Sequence, residues 1–142
     1  MSKRRYLVDN NALSQLTSAQ RTSSLFRDCS QITGDVLYEA RGYLEADLAD
    51  LEYPLTPAVL TRLAEVMTTL QPGDTSLVDL YAGKGAADPV IVACALEARA
   101  FEDGTLFPDT WVIVTDDKAV DLTARKFGLE VLPSRDFRAL FP

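Results

Sequence analysis

The chain has no histidine, only two cysteines, one tryptophan and no long hydrophobic run, and each shortage narrows its chemistry. Without an imidazole there is no Ser-His-Asp or Cys-His nucleophile, no histidine general acid or base, and little scope for transition-metal sites. Cys29 and Cys94 lie far apart and belong to no CxxC or Cys/His pattern. Neither a zinc site nor a disulfide framework is expected, and free thiols in a cytoplasmic chain are. The longest apolar run, Pro89 to Leu96, is closed by Glu97 and Arg99, well short of the roughly 18–20 residues that cross a bilayer. The basic start, MSKRR, is followed by only Tyr6-Leu7-Val8 before Asp9. No signal peptide or membrane association is expected from it.

What is present is ordinary for a folded protein. With 142 residues, 47% hydrophobic and 25% charged, the chain is expected to form one domain over residues 1–142 with a substantial core. Acids outnumber bases 21 to 14, a net charge of −7. That balance disfavours a nucleic-acid partner, because such binders usually carry a basic footprint. The objection weakens if several acids share a metal site: four carboxylates neutralised by two divalent ions move the balance from −7 to about −3. Chemistry built on carboxylates suits hard, oxygen-seeking cations, Mg2+ or Mn2+.

Along the chain, Tyr6–Val8 reads as a buried strand ending at Asp9 and feeding a helix. A helix is expected over Ser18–Phe26 and a short strand over Ser30–Ile32. Apolar residues at 36, 37, 40, 44, 48 and 51 have helical spacing and predict one helix over Val36–Leu51, with Glu39 near its start. Thr56-Pro57 is a cap-and-proline start for a helix running to Leu70, stopped by Pro72-Gly73. Ser76–Tyr81 fits a strand or a helical turn and is read as a strand. Gly83-Lys84-Gly85 reads as a loop without the spacing of a phosphate-binding loop, although Lys84 could touch a substrate phosphate. Asp88-Pro89 opens a helix to about Ala100, and Trp111–Thr115 is the clearest strand. Lys118–Phe127 reads as a helix stopped by Gly128, and Leu129–Leu132 as a last strand. Alternating strands and helices predict an α/β three-layer sandwich, a mostly parallel central sheet flanked by helices.

In such a sheet the loops leaving the carboxyl ends of the strands meet at one edge, where ligands bind. Asp9, Asp116 and Asp117 follow strands, Asp88 opens a helix, and Glu39 lies on a helix that could reach the same edge. Each acid taken singly is better explained as a helix cap or a solvated charge. Together they would repel one another unless a cation joined them.

At this point the residues resemble a family, the PIN-domain nucleases, especially the toxin ribonucleases of VapC type. Tyr6-Leu7-Val8-Asp9-Asn10-Asn11-Ala12-Leu13 resembles the opening strand with its terminal Asp. Val36-Leu37-Tyr38-Glu39-Ala40 is similar to the helix carrying the second acid. Ala87-Asp88-Pro89-Val90-Ile91-Val92-Ala93-Cys94-Ala95-Leu96 resembles the helix with the third. Val112-Ile113-Val114-Thr115-Asp116-Asp117, followed by Phe127-Gly128-Leu129-Glu130-Val131, resembles the last acidic block and closing strand. The resemblance implies a PIN-like sandwich and Mg2+- or Mn2+-dependent cleavage of RNA. It implies Asp9, Glu39, Asp88 and Asp117 as metal-binding and catalytic acids, with Asp116 substituting for or assisting Asp117, and Asn11 and Thr115 as supporting polar residues. Proteins of this kind usually form homodimers and are neutralised by a small antitoxin protein. This chain departs in having Asn10 where Thr or Ser is common, and a long connection from Arg99 to Trp111. A non-catalytic PIN-like interaction module is the alternative. A receiver-like phosphoacceptor would want an acidic pair after the first strand and a lysine after the last, and Asp9 is alone there while Glu130–Pro133 has no lysine.

Overall fold

The computed structural model describes residues 2–69 and 88–142, Asp88 through its backbone alone. The Pro72-Gly73 stop, the Ser76–Tyr81 strand and the Gly83–Gly85 loop with Lys84 lie outside the described residues. Short runs of Val, Ile, Leu and Tyr form the strands β1 (Arg4–Val8), β2 (Ser30–Thr33), β3 (Glu52–Tyr53), β4 (Thr110–Val114) and β5 (Glu130–Leu132). They make one sheet in the order β3-β2-β1-β4-β5, with every pairing parallel. Parallel strands require crossovers, and the helices that supply them cover both faces.

Successive side chains of a strand point to opposite faces, and the two cores follow that parity. Tyr6, Val8, Ile32, Val112 and Val114 pack on one face with Phe26, Val36, Leu48, Phe137 and Phe141. Leu7 and Ile113 pack on the other with Val59, Val66, Ile91, Val120 and Leu129. The first face is covered by α1 (Asn10–Gln15), α2 (Ser18–Arg21), α3 (Ser24–Cys29), α4 (Gly34–Glu39) and α8 (Ser134–Arg138), and the second by α5 (Pro57–Thr68), α6 (Asp88–Glu102) and α7 (Lys118–Lys126). The expected α/β sandwich is therefore present, and among the described residues its sheet is wholly rather than mostly parallel.

Several local signals act as expected. The Thr56 hydroxyl accepts the Val59 N–H at 3.2 Å with Pro57 in the first turn of α5. Gly128, at φ +72, ends α7 with its own N–H on the Arg125 carbonyl and that of Leu129 on the Ala124 carbonyl, a left-handed position that glycine adopts without strain.

Two expected helices are broken. The segment Ser18–Phe26 splits into α2 and α3 because the Ser23 hydroxyl caps the second piece, accepting the Phe26 N–H at 3.2 Å. A serine competes for backbone partners in this way. The predicted Val36–Leu51 helix stops at Glu39, turns through residues 40–45 and resumes as a 3-10 helix over Ala46–Leu51. Gly42 weakens the helix there, and Tyr43 and Glu45 are tied to other elements. Val36, Leu44, Leu48 and Leu51 nevertheless enter one core, so the spacing reported burial but not continuity. Glu39 consequently lies in the last turn of α4, not near the start of a long helix.

Candidate functional site

The order of strands reverses direction at β1: the chain builds outward through β2 and β3, then returns to add β4 and β5 on the other side. A crevice outside the carboxyl ends of the strands opens at such a reversal. Val8 pairs with Val114, and the Asp9 N–H continues the ladder onto the Val114 carbonyl at 3.1 Å. Asp9 and the Thr115–Asp117 segment therefore leave the sheet side by side.

Asp9 is only 7% exposed and makes two kinds of bond. Its Oδ1 caps α1 by accepting the Ala12 N–H at 2.8 Å, and its Oδ2 accepts the Thr115 hydroxyl at 2.5 Å. The Thr115 hydroxyl oxygen in turn accepts the Asp117 N–H at 3.1 Å. Asp117 caps α7 through Oδ1, which accepts the N–H groups of Ala119 (2.8 Å) and Val120 (3.2 Å). Its Oδ2 has no partner among the described residues. One threonine thus ties two carboxylate-bearing loops across the strand reversal.

The electrostatics are unfavourable to negative charge. Burial raises the Asp9 carboxyl above the ordinary aspartate value; the bonds from Thr115 and Ala12 oppose the rise, and Asp116 and Asp117 add to it. Glu39 is raised as well, by partial burial first, then by Asp35 and Asp9. Asp9 and Glu39 therefore feel one another although they come from different elements. No lysine or arginine among the described residues forms an ion pair with Asp9, Glu39 or Asp117. Charged forms of these groups lack the counter-charge that such crowding normally demands.

Asp88 opens α6, at the end away from Glu102, whose Oε2 accepts the Asp109 N–H at 3.2 Å just before β4 begins. The 15-residue helix spans about 22 Å, more than the roughly 16 Å of a five-residue strand, a length sufficient to run back along β4. Asn11 lies exposed in the first turn of α1, where its carbonyl accepts the Ser14 hydroxyl at 2.8 Å.

Asp116 is engaged by α8 and α1. Its Oδ1 accepts the Ser134 N–H at 2.9 Å, Ser134 Oγ donates to its Oδ2, and Gln15 Nε2 lies 3.4 Å from the same oxygen. Bonding to Ser134 holds its carboxyl below the ordinary value. Asp116 fastens the start of α8 to α1, so the two adjacent aspartates have separate structural tasks.

Tyr43 belongs to no motif in the sequence, yet it borders the site. Its hydroxyl donates to Asn10 Oδ1 at 2.6 Å, beside the Asn10 carbonyl at 3.2 Å, and the Arg21 guanidinium lies 5.3 Å from its ring centroid. Burial raises the Tyr43 hydroxyl, Arg21 opposes that, and the charges of Asp9, Glu39 and Glu45 add to it. Nothing in the local sequence pairs residue 43 with residue 10; the turn after α4 does. At the opposite end of the sheet, a cavity of about 360 Å³ is lined by Arg5, Tyr53, Glu97, Glu102 and Trp111. Its acids are already engaged, Glu97 with Arg62 and Glu102 with the Asp109 N–H. Asp9, Glu39 and Asp117, in contrast, have no ion pair among the described residues.

Among the described residues no group of three or more acidic or sulfur ligands is gathered closely enough to hold a metal ion; the acids under discussion include Asp88, whose side chain is outside that description. The available donors, carboxylates with a threonine hydroxyl beside them, are hard oxygen ligands of the kind that Mg2+ and Mn2+ prefer. No protein-family model matches the chain, and no curated protein matches it in sequence.

Proposed function

We propose that this protein is a divalent-metal-dependent endoribonuclease of PIN-like design, with its centre at the carboxyl ends of β1 and β4. The observation that carries the proposal is the buried Asp9 carboxylate, bonded through Thr115 to the Asp117 loop, destabilised by neighbouring acids and without a basic partner. An external cation would supply the missing charge. In this reading Asp9, Glu39, Asp88 and Asp117 hold the metal, and Asp116 stays with Ser134. Thr115 fixes the orientation of Asp9 Oδ2 and the entry of the Asp117 loop. Asp117 keeps Oδ1 on the α7 backbone and offers Oδ2, so capping and binding do not compete.

A bound Mg2+ or Mn2+ supplies Lewis acidity and a more acidic water for attack on a phosphodiester. The protein's own contribution is to hold Asp9 and Asp117 by backbone bonds, with no ion pair to either among the described residues. The same reading, through the resemblance set out above, makes the chain the toxin of a toxin–antitoxin pair, a homodimer in the cytoplasm covered by its antitoxin. No helix among the described residues is long and apolar enough to cross a membrane.

Purified wild-type protein should cleave RNA with Mg2+ or Mn2+, and Asp9→Asn or Asp88→Asn should abolish cleavage while circular dichroism stays unchanged. Full activity in either variant would remove that acid from the mechanism. Calorimetric titration that finds no Mn2+ binding at millimolar concentration would favour a non-catalytic interaction module, in which both aspartates serve only as caps.

A further inference from the structure

We propose that the cavity at the amino-terminal end of the sheet is a separate binding site, which takes an uncharged planar ring bearing carbonyl oxygens. This holds whether or not the carboxyl edge binds a metal. Arg5 on β1 pairs with Trp111 on β4, three residues before Val8 and Val114, so the two start about 10 Å along the strands from the carboxyl edge. The cavity's volume, about 360 Å³, is at the lower end of the range of small-molecule sites, roughly 300–1,000 Å³. Two of its walls are aromatic: Tyr53 meets Trp111 edge-on, with ring centroids 5.8 Å apart and planes at 84°. Phe101, on α6, stands 78% exposed at the rim.

The polar atoms of the lining select the ligand. Trp111 Nε1 and Arg5 Nε are buried donors without an acceptor among the described residues. Folded proteins seldom leave such groups unpaired, because each forfeits the bond it had with water. Burial also pushes the Tyr53 hydroxyl up to about 12, so it stays protonated and can donate as well. The acceptors are taken: Glu97 holds Arg62 at 3.2 Å, and Glu102 Oε2 holds the Asp109 N–H at 3.2 Å. The ligand must therefore bring its own acceptors. Charge argues against an anion, since Arg5, the one cation of the lining, already faces Asp109 at 3.7 Å. Carbonyl oxygens on an uncharged ring answer the donors, and the ring itself fills the space between aromatic walls. The Arg5 guanidinium lies 5.2 Å from the Trp111 ring centroid, and its side chain is 28% exposed. Turning that side chain opens the orphaned donors to the ligand.

Trp111 is the single tryptophan, so one indole N–H resonance reports on the cavity in isotope-labelled protein. Caffeine, an uncharged ring with carbonyls and no N–H of its own, is the probe; benzene offers a ring without acceptors, and benzoate an anion. Caffeine should shift the Trp111 Nε1–H and Arg5 Nε–H resonances saturably, the first downfield as its hydrogen bond forms. The amides of Asp9 and Thr115–Asp117 should not move. Trp111→Phe keeps an aromatic wall and loses the donor, so it should weaken caffeine binding about fivefold and leave benzene binding unchanged. Tyr53→Phe removes only a hydroxyl, should weaken caffeine binding by a similar factor, and keeps both N–H reporters should Trp111→Phe fail to fold. The absence of a saturable shift at the solubility limit of caffeine would leave the donors to water and overturn the site. Benzene binding as tight as caffeine, tighter binding of benzoate, or unchanged caffeine affinity in the folded variants would overturn the ligand class.

Discussion

Three aspartates near one another do three different things, and their bonds separate them. Asp117→Ala removes the cap of α7 and should lower stability by about 1 kcal/mol, read from chemical denaturation. Asp117→Asn keeps an oxygen for the Ala119 and Val120 N–H groups, so it should leave stability nearly unchanged while abolishing the response to Mn2+. Matching stability losses in the two variants would contradict that division. Asp116→Ala detaches Ser134 and the start of α8 and should cost about 1 kcal/mol yet leave kcat within a few-fold of wild type. Loss of cleavage there would return Asp116 to the metal centre. For Asp9 the sign follows from its raised carboxyl. A carboxyl raised on folding adds stability while protonated and loses that addition as pH rises through its folded value. Asp9→Asn should therefore melt higher than wild type in metal-free buffer at pH 7, in a variant that no longer cleaves RNA. A lower melting temperature would mean that the Thr115 bond outweighs the buried charge.

At the scale of elements, the fold depends on a brace that ties α1 and α2 to the turn after α4. Arg21, on α2, bonds both Glu45 oxygens at 2.8 and 2.9 Å and the carbonyls of Leu13 and Leu16 at 3.1 and 2.6 Å. It joins the end of α1 to the turn after α4, and its ring contact with Tyr43 places that turn against Asn10. Arg21→Ala would leave a carboxylate and two carbonyls without their donor and should cost about 3 kcal/mol by denaturation. It should also reduce metal affinity, because α1 begins at Asp9 and α4 ends at Glu39. Bonding to Arg21 holds Glu45 down to about 2. Its contribution is present above the ordinary glutamate value and fades as pH falls from about 4.5 towards 2. Sequence spacing correctly located Val36, Leu44, Leu48 and Leu51 in the core but could not show where the helix would break. The break is decided by partners 24 and 33 residues distant, Arg21 for Glu45 and Asn10 for Tyr43.

For the whole molecule, the proposed metal site would make stability, pH and metal one linked quantity. Asp9 and Glu39 are both raised, so their charging opposes folding as pH climbs above the ordinary carboxyl range, the reverse of Glu45. A cation that binds only the folded, ionised form reverses this. At about 100 times its dissociation constant the metal should add about 2.7 kcal/mol, roughly 8 °C in melting temperature for a chain of this size. The gain should shrink as pH is lowered towards 4, where the carboxyls take up protons. Thermal melts with and without Mn2+ across pH 4–8 measure it directly. A metal-induced shift independent of pH, or one that survives in Asp9→Asn, would place the cation elsewhere.

Much of this was legible from residue order alone. Alternation of apolar runs with helical spacing announced a parallel α/β sandwich, and the absence of histidine pointed any hydrolytic chemistry at carboxylates. Thr56-Pro57, Asp117 and Gly128 marked helix limits because caps and left-handed turns are local chemistry. What tertiary structure alone decided was company. Pairing Val8 with Val114 set Asp9 beside Thr115, and docking α8 gave Asp116 its bonds to Ser134. The turn after α4 brought Tyr43 to Asn10, and the Arg21 brace fixed that turn. Those outcomes depend on contacts between residues tens of positions apart, and short-range patterns carry no record of them.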